Sequence, residues 1–152
     1  MLFHSLLACS RDGTLLLSHY WVETTLEQQA TWEAIVAAKT TGYWAAAHAI
    51  AVPLRMCDGI MTLVSCADDV VYVVSCMDSE CTDDVELFDD AKFFQKLVAD
   101  ACDGKPAAKL ADPAFLAKVM VCLEECVACG SVISRSVENI LRLAKLKGPE
   151  TL

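Results

Sequence analysis

Phe3-His4-Ser5-Leu6-Leu7-Ala8-Cys9-Ser10-Arg11-Asp12-Gly13-Thr14-Leu15-Leu16-Leu17-Ser18-His19-Tyr20-Trp21 is the stretch on which the fold turns. Two apolar runs flank Asp12-Gly13, and an Asp-Gly pair between such runs is a strong short-range hairpin signal. The reading is therefore a strand over 2–10 and a second over 14–22. Most positions in both runs are apolar, which places the hairpin centrally or covers it on both faces.

Working outward, Thr24-Thr25-Leu26-Glu27-Gln28 offers two overlapping capping boxes, Thr24 with Glu27 and Thr25 with Gln28. A helix is expected over 26–39, with Leu26, Ala30, Trp32, Ile35 and Val36 as its stripe and Thr40-Thr41-Gly42 as its end. In the next stretch the alanines favour helix, whereas Pro53 and the alternation over 48–52 favour an edge strand. The strand, over 47–54, is the reading adopted. The runs 60–66 and 70–76 are β-branched and joined by Ala67-Asp68-Asp69, a second tight hairpin.

An acidic loop over 78–84 precedes a helix over 85–101, whose periodic positions are Leu87, Phe88, Ala91, Phe94, Val98 and Ala101. Asp103-Gly104-Lys105-Pro106 breaks the chain, and Asp112-Pro113 opens a helix to Ala128 that Gly130 should close in a left-handed conformation. A last helix is expected over 134–146. The order ββαβββααα describes one α+β domain over 1–147, an antiparallel sheet with helices on its faces, and a tail over 148–152.

Composition narrows the function. The 152 residues are 55% hydrophobic, above the usual soluble range, and carry a net charge of −9. Such a chain should avoid nucleic acid and anionic membranes, which need clustered Lys and Arg, but can accept a basic partner. Gly42–Leu54 is too short to span a membrane and contains His48 and Pro53, while 59–77 is cut by Asp68-Asp69. The first residues lack the basic region of a signal peptide; Leu6-Leu7-Ala8-Cys9 looks like a bacterial lipobox, but too little chain precedes it. A surplus of apolar surface is often spent on a partner.

Conventional catalytic signals are missing. His4, His19 and His48 have no ligand spacing, and the sequence contains no GxGxxG, GxxxxGK[ST] or HExxH. Asp68-Asp69, Asp83-Asp84, Asp89-Asp90 and Glu124-Glu125 are adjacent pairs whose side chains point apart within an element, which makes poor acid–base dyads. Nine cysteines, an odd number, argue against a disulfide framework. Cys122, Cys126 and Cys129 share one helix face, read here as core. A metal protein using those three is a minor rival, since zinc would need a fourth ligand. No cofactor and no enzymatic activity are expected.

Three stretches carry a family resemblance. The first is Phe3–Trp21, an apolar strand, a pair ending in Gly and a strand ending in aromatics. The second is Asp69-Val70-Val71-Tyr72-Val73-Val74-Ser75 with the helix start Val85-Glu86-Leu87-Phe88 after it. The third is Val121-Cys122-Leu123-Glu124-Glu125-Cys126-Val127-Ala128-Cys129-Gly130-Ser131-Val132-Ile133, followed by Ser136-Val137-Glu138-Asn139-Ile140-Leu141. In this order they resemble the longin-like small subunits of vesicle coats, the sigma subunits of clathrin adaptors and the zeta subunit of coatomer.

The resemblance implies a five-stranded antiparallel longin-like sheet, order ββαβββαα plus a C-terminal helix. It also implies a non-catalytic small subunit in intracellular protein transport, docked on a large helical-solenoid subunit and a medium subunit. The location implied is cytoplasmic, peripheral on coated vesicles or on Golgi or endosomal membranes. Membrane and small GTPase would be met only through the complex. Sigma subunits help bind dileucine sorting signals through a basic residue and an apolar pocket. Here the basic position falls on Leu16, and pocket positions fall on the polar Asp68, Gln95 and Lys105, although Val70 suits a pocket. Cargo binding is therefore not carried over, and a scaffold role like that of zeta subunits fits better, although the long C-terminal tail of zeta subunits is missing. Candidate interface residues are Trp21, Val70, Phe88 and Phe94. The rival within the same fold is a longin or roadblock-type tethering-complex subunit or small-GTPase regulator.

Overall fold

The computed structural model describes residues 2–48, 50–56, 59–77, 84–128, 131–132 and 136–147. The first hairpin pairs β1 (Phe3–Ser10) with β2 (Leu15–Tyr20). Its loop closes because Gly13 takes a φ of +93° and the Asp12 carboxylate accepts the Thr14 amide at 3.0 Å. The Ser10 hydroxyl also donates to Asp12, and together these donors hold its carboxyl down at about 2.

Capping then selects the first helix. Of the two possible boxes, Thr25 with Gln28 forms, with reciprocal bonds of 3.1 and 2.9 Å, and starts α1 (Leu26–Thr40). Thr24 instead accepts from the Gln29 side chain at 2.9 Å. The chain does not stop at Gly42. A 3-10 turn (Thr41–Tyr43) leads into the short helix α2 (Trp44–Ala47), so the expected strand over 47–54 shrinks to β3 (Val52–Arg55). The helix propensity of Ala45-Ala46-Ala47 wins, assisted by the Trp44 indole donating to Thr40 Oγ1 at 3.2 Å. Pro53 sits in the short edge strand, where a missing donor is tolerated.

β4 (Ile60–Ala67) and β5 (Val70–Met77) form the second hairpin. Asp68 and Asp69 both take left-handed φ, +53° and +63°, the geometry of a two-residue type I′ turn. The sheet order is β2-β1-β5-β4-β3, and every neighbouring pair is antiparallel. β5 is its centre, which explains why 70–76 is apolar at nearly every position.

The remaining helices are α3 (Asp84–Ala101), the single turn α4 (Pro106–Lys109), α5 (Pro113–Cys126) and α6 (Val137–Lys147). Asp112 caps α5 by accepting the Ala114 amide at 2.9 Å, with Pro113 in the first turn. α5 ends at Cys126, two residues short of expectation, because the β-branched Val127 is extended (φ −125°, ψ 125°). It opens a small ribbon of β6 (Val127–Ala128) and β7 (Ser131–Val132). α6 starts at Val137 rather than 134, with Ser136 Oγ accepting the Asn139 amide at 3.3 Å. Of the expected loop over 78–84, residues 78–83 lie outside the described residues and Asp84 already belongs to α3; the Gly130 conformation and the tail over 148–152 also lie outside them.

The layers are helix, sheet, helix. Phe3, Leu6, Ala8, Leu63, Val70, Tyr72 and Val74 face α3, α5 and α6. Leu7, Val64, Val71 and Val73 face Trp32 and Val36 of α1 and Ala47 of α2. Two bulges interrupt the alternation: the β1–β5 register shifts between Phe3 and Ser5, leaving His4 without a β5 partner, and the β1–β2 register shifts between Ala8 and Cys9, opposite which Leu16 is the extra residue.

Candidate functional site

Trp21 follows β2 and closes that edge of the sheet against α5. Its indole N–H donates to the Leu123 carbonyl at 3.3 Å. The ring stacks on Phe94 at 5.2 Å and tilts against Phe3 at 5.7 Å, while Phe3 meets Phe94 edge-on at 5.2 Å. These contacts add to area burial and make the trio a packing unit. Trp21 stays half-buried. Val70 and Phe94 are wholly buried, so neither offers a side chain to a partner. Phe88 is half-buried on α3. The four candidates thus divide into two core residues and two at the margin of the core.

Of the positions implied by cargo recognition, Leu16 stands where a basic residue is expected, and the pocket positions Asp68, Gln95 and Lys105 are polar. Gln95 lines a hollow of about 160 Å³ with Leu63, Ser65 and Phe88, and its amide donates to the Ser65 hydroxyl. Asp68 lies in the β4–β5 turn and Lys105 precedes α4; neither lines that hollow. Leu16 is the bulged residue of β2 and packs, half-buried, against the larger core cluster.

The interior is poor in reactive groups. Burial pushes the thiols of Cys9, Cys102 and Cys122 up to about 11, and that of Cys126 to about 12, so all four are neutral thiols at pH 7. Cys129, the third of the suspected trio, lies outside the described residues. Among the described residues no group of three His, Cys, Asp or Glu side chains is placed to hold a metal ion. No helix among them is long and apolar enough to cross a membrane.

Two buried polar groups stand out. His19, 5% exposed on β2, brings Nε2 to 2.7 Å from the Glu124 carboxylate. Burial lowers its pKa, and Glu124 opposes the shift. The Tyr72 hydroxyl, wholly buried on β5, has no hydrogen-bond partner among the described residues. Burial, Asp68 and Cys102 all push its pKa up.

Sequence reading missed two features. At the hairpin end of the sheet, Arg11 donates to His48 at 2.7 Å and lies 3.6 Å from Asp69, tying three connections together. A groove also opens between α1 and the strand ends, with the bulged His4 in its wall. Neither could be found without the register, since the partners are remote in the chain.

No family model matches the sequence, and no curated protein matches it. Among solved structures, the chain is similar to one in a structure described as a homology model of the full-length AP-3 complex in a stretched open conformation. The identity is 16% and the TM-score 0.67, and the match covers 95% of this chain and 92% of that one. Coverage of this extent matches the fold as a whole rather than one hairpin. The chain has a five-stranded, antiparallel, longin-like fold of the adaptor type.

Proposed function

We propose that this chain is a non-catalytic small subunit of a vesicle-coat or adaptor complex that acts in intracellular protein transport. The observation that carries the reading is the near end-to-end likeness to a chain of the AP-3 complex structure, at a TM-score of 0.67. In this reading the chain docks on a large helical-solenoid subunit and a medium subunit, and reaches membranes and small GTPases only through them. Its location is cytoplasmic, peripheral on coated vesicles or on Golgi or endosomal membranes. The role is that of scaffold, because the basic position of a cargo site is here the apolar Leu16 and the pocket positions Asp68, Gln95 and Lys105 are polar.

Further support comes from the surface. Leu26 on α1, Ile50 before β3 and Val85 on α3 are 84%, 68% and 66% exposed. Covering side chains of this size would stabilise a complex by about 1.5–3 kcal/mol each. Neutral buried thiols and separated carboxylates likewise fit a structural part better than an enzyme.

Affinity purification of the tagged full chain from its own cells, with mass spectrometry, tests the reading. Recovery of one large solenoid chain and one medium chain in near-equal amounts is expected. Recovery of tethering proteins or a GTPase alone would favour the rival reading, and one tightly bound zinc per chain would favour the cysteine-based one.

A further inference from the structure

Under the N-terminal half of α1 lies a groove of about 530 Å³, within the size range of peptide and ligand sites. Trp32, Ile35, Ile60 and Met77 supply its apolar surface, and Glu23 and Glu27 stand at its rim. The walls are held in place. The Trp32 indole donates to Ser5 Oγ at 3.1 Å, His4 Nδ1 lies 2.9 Å from the same oxygen, and the Tyr20 hydroxyl donates to Glu33 at 2.6 Å. His4 also meets Trp32 edge-on at 4.8 Å. A site fixed in this way has less conformational entropy to lose on binding.

The electrostatics are one-sided. Glu23 and Glu27 are exposed, and among the described residues no Lys or Arg lines the groove and neither carboxylate has an ion-pair partner. The chain as a whole carries −9. An apolar trough with an uncompensated acidic lip complements a segment that is greasy on one side and cationic on the other.

We propose that this groove docks a basic amphipathic segment of a partner protein. An apolar side chain of that segment seats over Trp32 and Ile35, and its Lys or Arg residues pair with Glu23 and Glu27. The coat reading neither requires nor supplies this site, so either can fail while the other stands.

The test uses the full chain and a fluorescein-labelled 12-residue peptide, Lys-Leu-Leu-Lys repeated three times, followed by anisotropy. Two comparison peptides carry Glu in place of Lys or Ser in place of Leu. Saturable binding of the first peptide is expected, at least about tenfold tighter than of either comparison. The double substitution Glu23→Lys/Glu27→Lys should weaken it about tenfold, since two exposed pairs become two repulsions. Thr31→Trp, at an exposed position on the rim, should block binding without disturbing the core. The control Glu86→Lys/Asp89→Lys makes the same change in net charge on exposed positions of α3 and should leave affinity within twofold. No saturable binding, equal binding of all three peptides, or equal loss in the control would overturn the proposal. Self-association of the chain that Thr31→Trp abolishes would give the groove to a second copy and overturn it too.

Discussion

Among the described residues, 26 buried apolar residues lie between the sheet and α3, α5 and α6, and nine lie between the sheet and α1 and α2. The second face makes up its closure with hydroxyls. Ser5, Ser75 and Thr62 sit side by side across β1, β5 and β4, all wholly buried, with Thr62 and Ser75 bonded at 2.8 Å and Ser5 accepting from Trp32. One long helix cannot cover five strands, so polar groups and an open groove remain where a second helix would lie. The thick face holds the fold together, and the thin face leaves surface free for other work.

Substitutions can break this contrast. The largest effect is expected at Phe94, wholly buried and in contact with both Phe3 and Trp21. Phe94→Ala should cost about 3–5 kcal/mol in urea unfolding, and a loss under 1 kcal/mol would remove the aromatic trio from the account. A matched pair follows on β5, where Val73 and Val74 are equally buried but face opposite layers. Each Val→Ala change removes about 1.6 kcal/mol of transfer energy, and the rest is a cavity term. Val74→Ala should cost more than Val73→Ala, because three packed helices collapse less readily onto a void than one. Equal losses would mean the two layers are equally rigid.

Smaller effects sharpen the picture. Thr25→Ala removes the capping box of α1 and should cost about 1 kcal/mol, read as a shift of the urea midpoint at unchanged slope. On the thick face, burial holds the folded His19 below its ordinary value of 6.5. The unfolded chain therefore takes up the proton first, so stability should be unaffected above that value and fall as pH drops through it towards the folded pKa. His4, lowered by burial on the thin face, acts in the same direction. His19→Gln should flatten part of that slope between pH 7 and 5, and an unchanged slope would assign it elsewhere. Tyr72→Phe should be neutral or slightly stabilising, since it deletes a buried hydroxyl with no partner among the described residues. A loss above 1 kcal/mol would reveal a partner.

Local chemistry made much of the fold legible. Asp12-Gly13 and the paired Asp68-Asp69 announce hairpins because only certain residues accept left-handed backbone, and Asp112-Pro113 announces a helix start because both residues favour that geometry. Where two local preferences competed, as alanines against Pro53, the strand reading extended too far. Helix α5 was read past its end because nothing near Val127 advertises the ribbon it joins. The bulges at His4 and Leu16 depend on register with strands far along the chain. Depth is likewise a tertiary property. Helical period placed Phe94 on an apolar face, but only the arrival of Phe3 and Trp21 sealed it, and the groove beside Trp32 exists only because α1 crosses the strands as it does.

Native mass spectrometry of the assembly recovered with the tagged full chain bears most directly on the proposed role. The account predicts one copy of this 16.5 kDa chain in a larger assembly whose other members include a large helical-solenoid chain and a medium chain. A free monomer, or a complex with only a small GTPase, would contradict it.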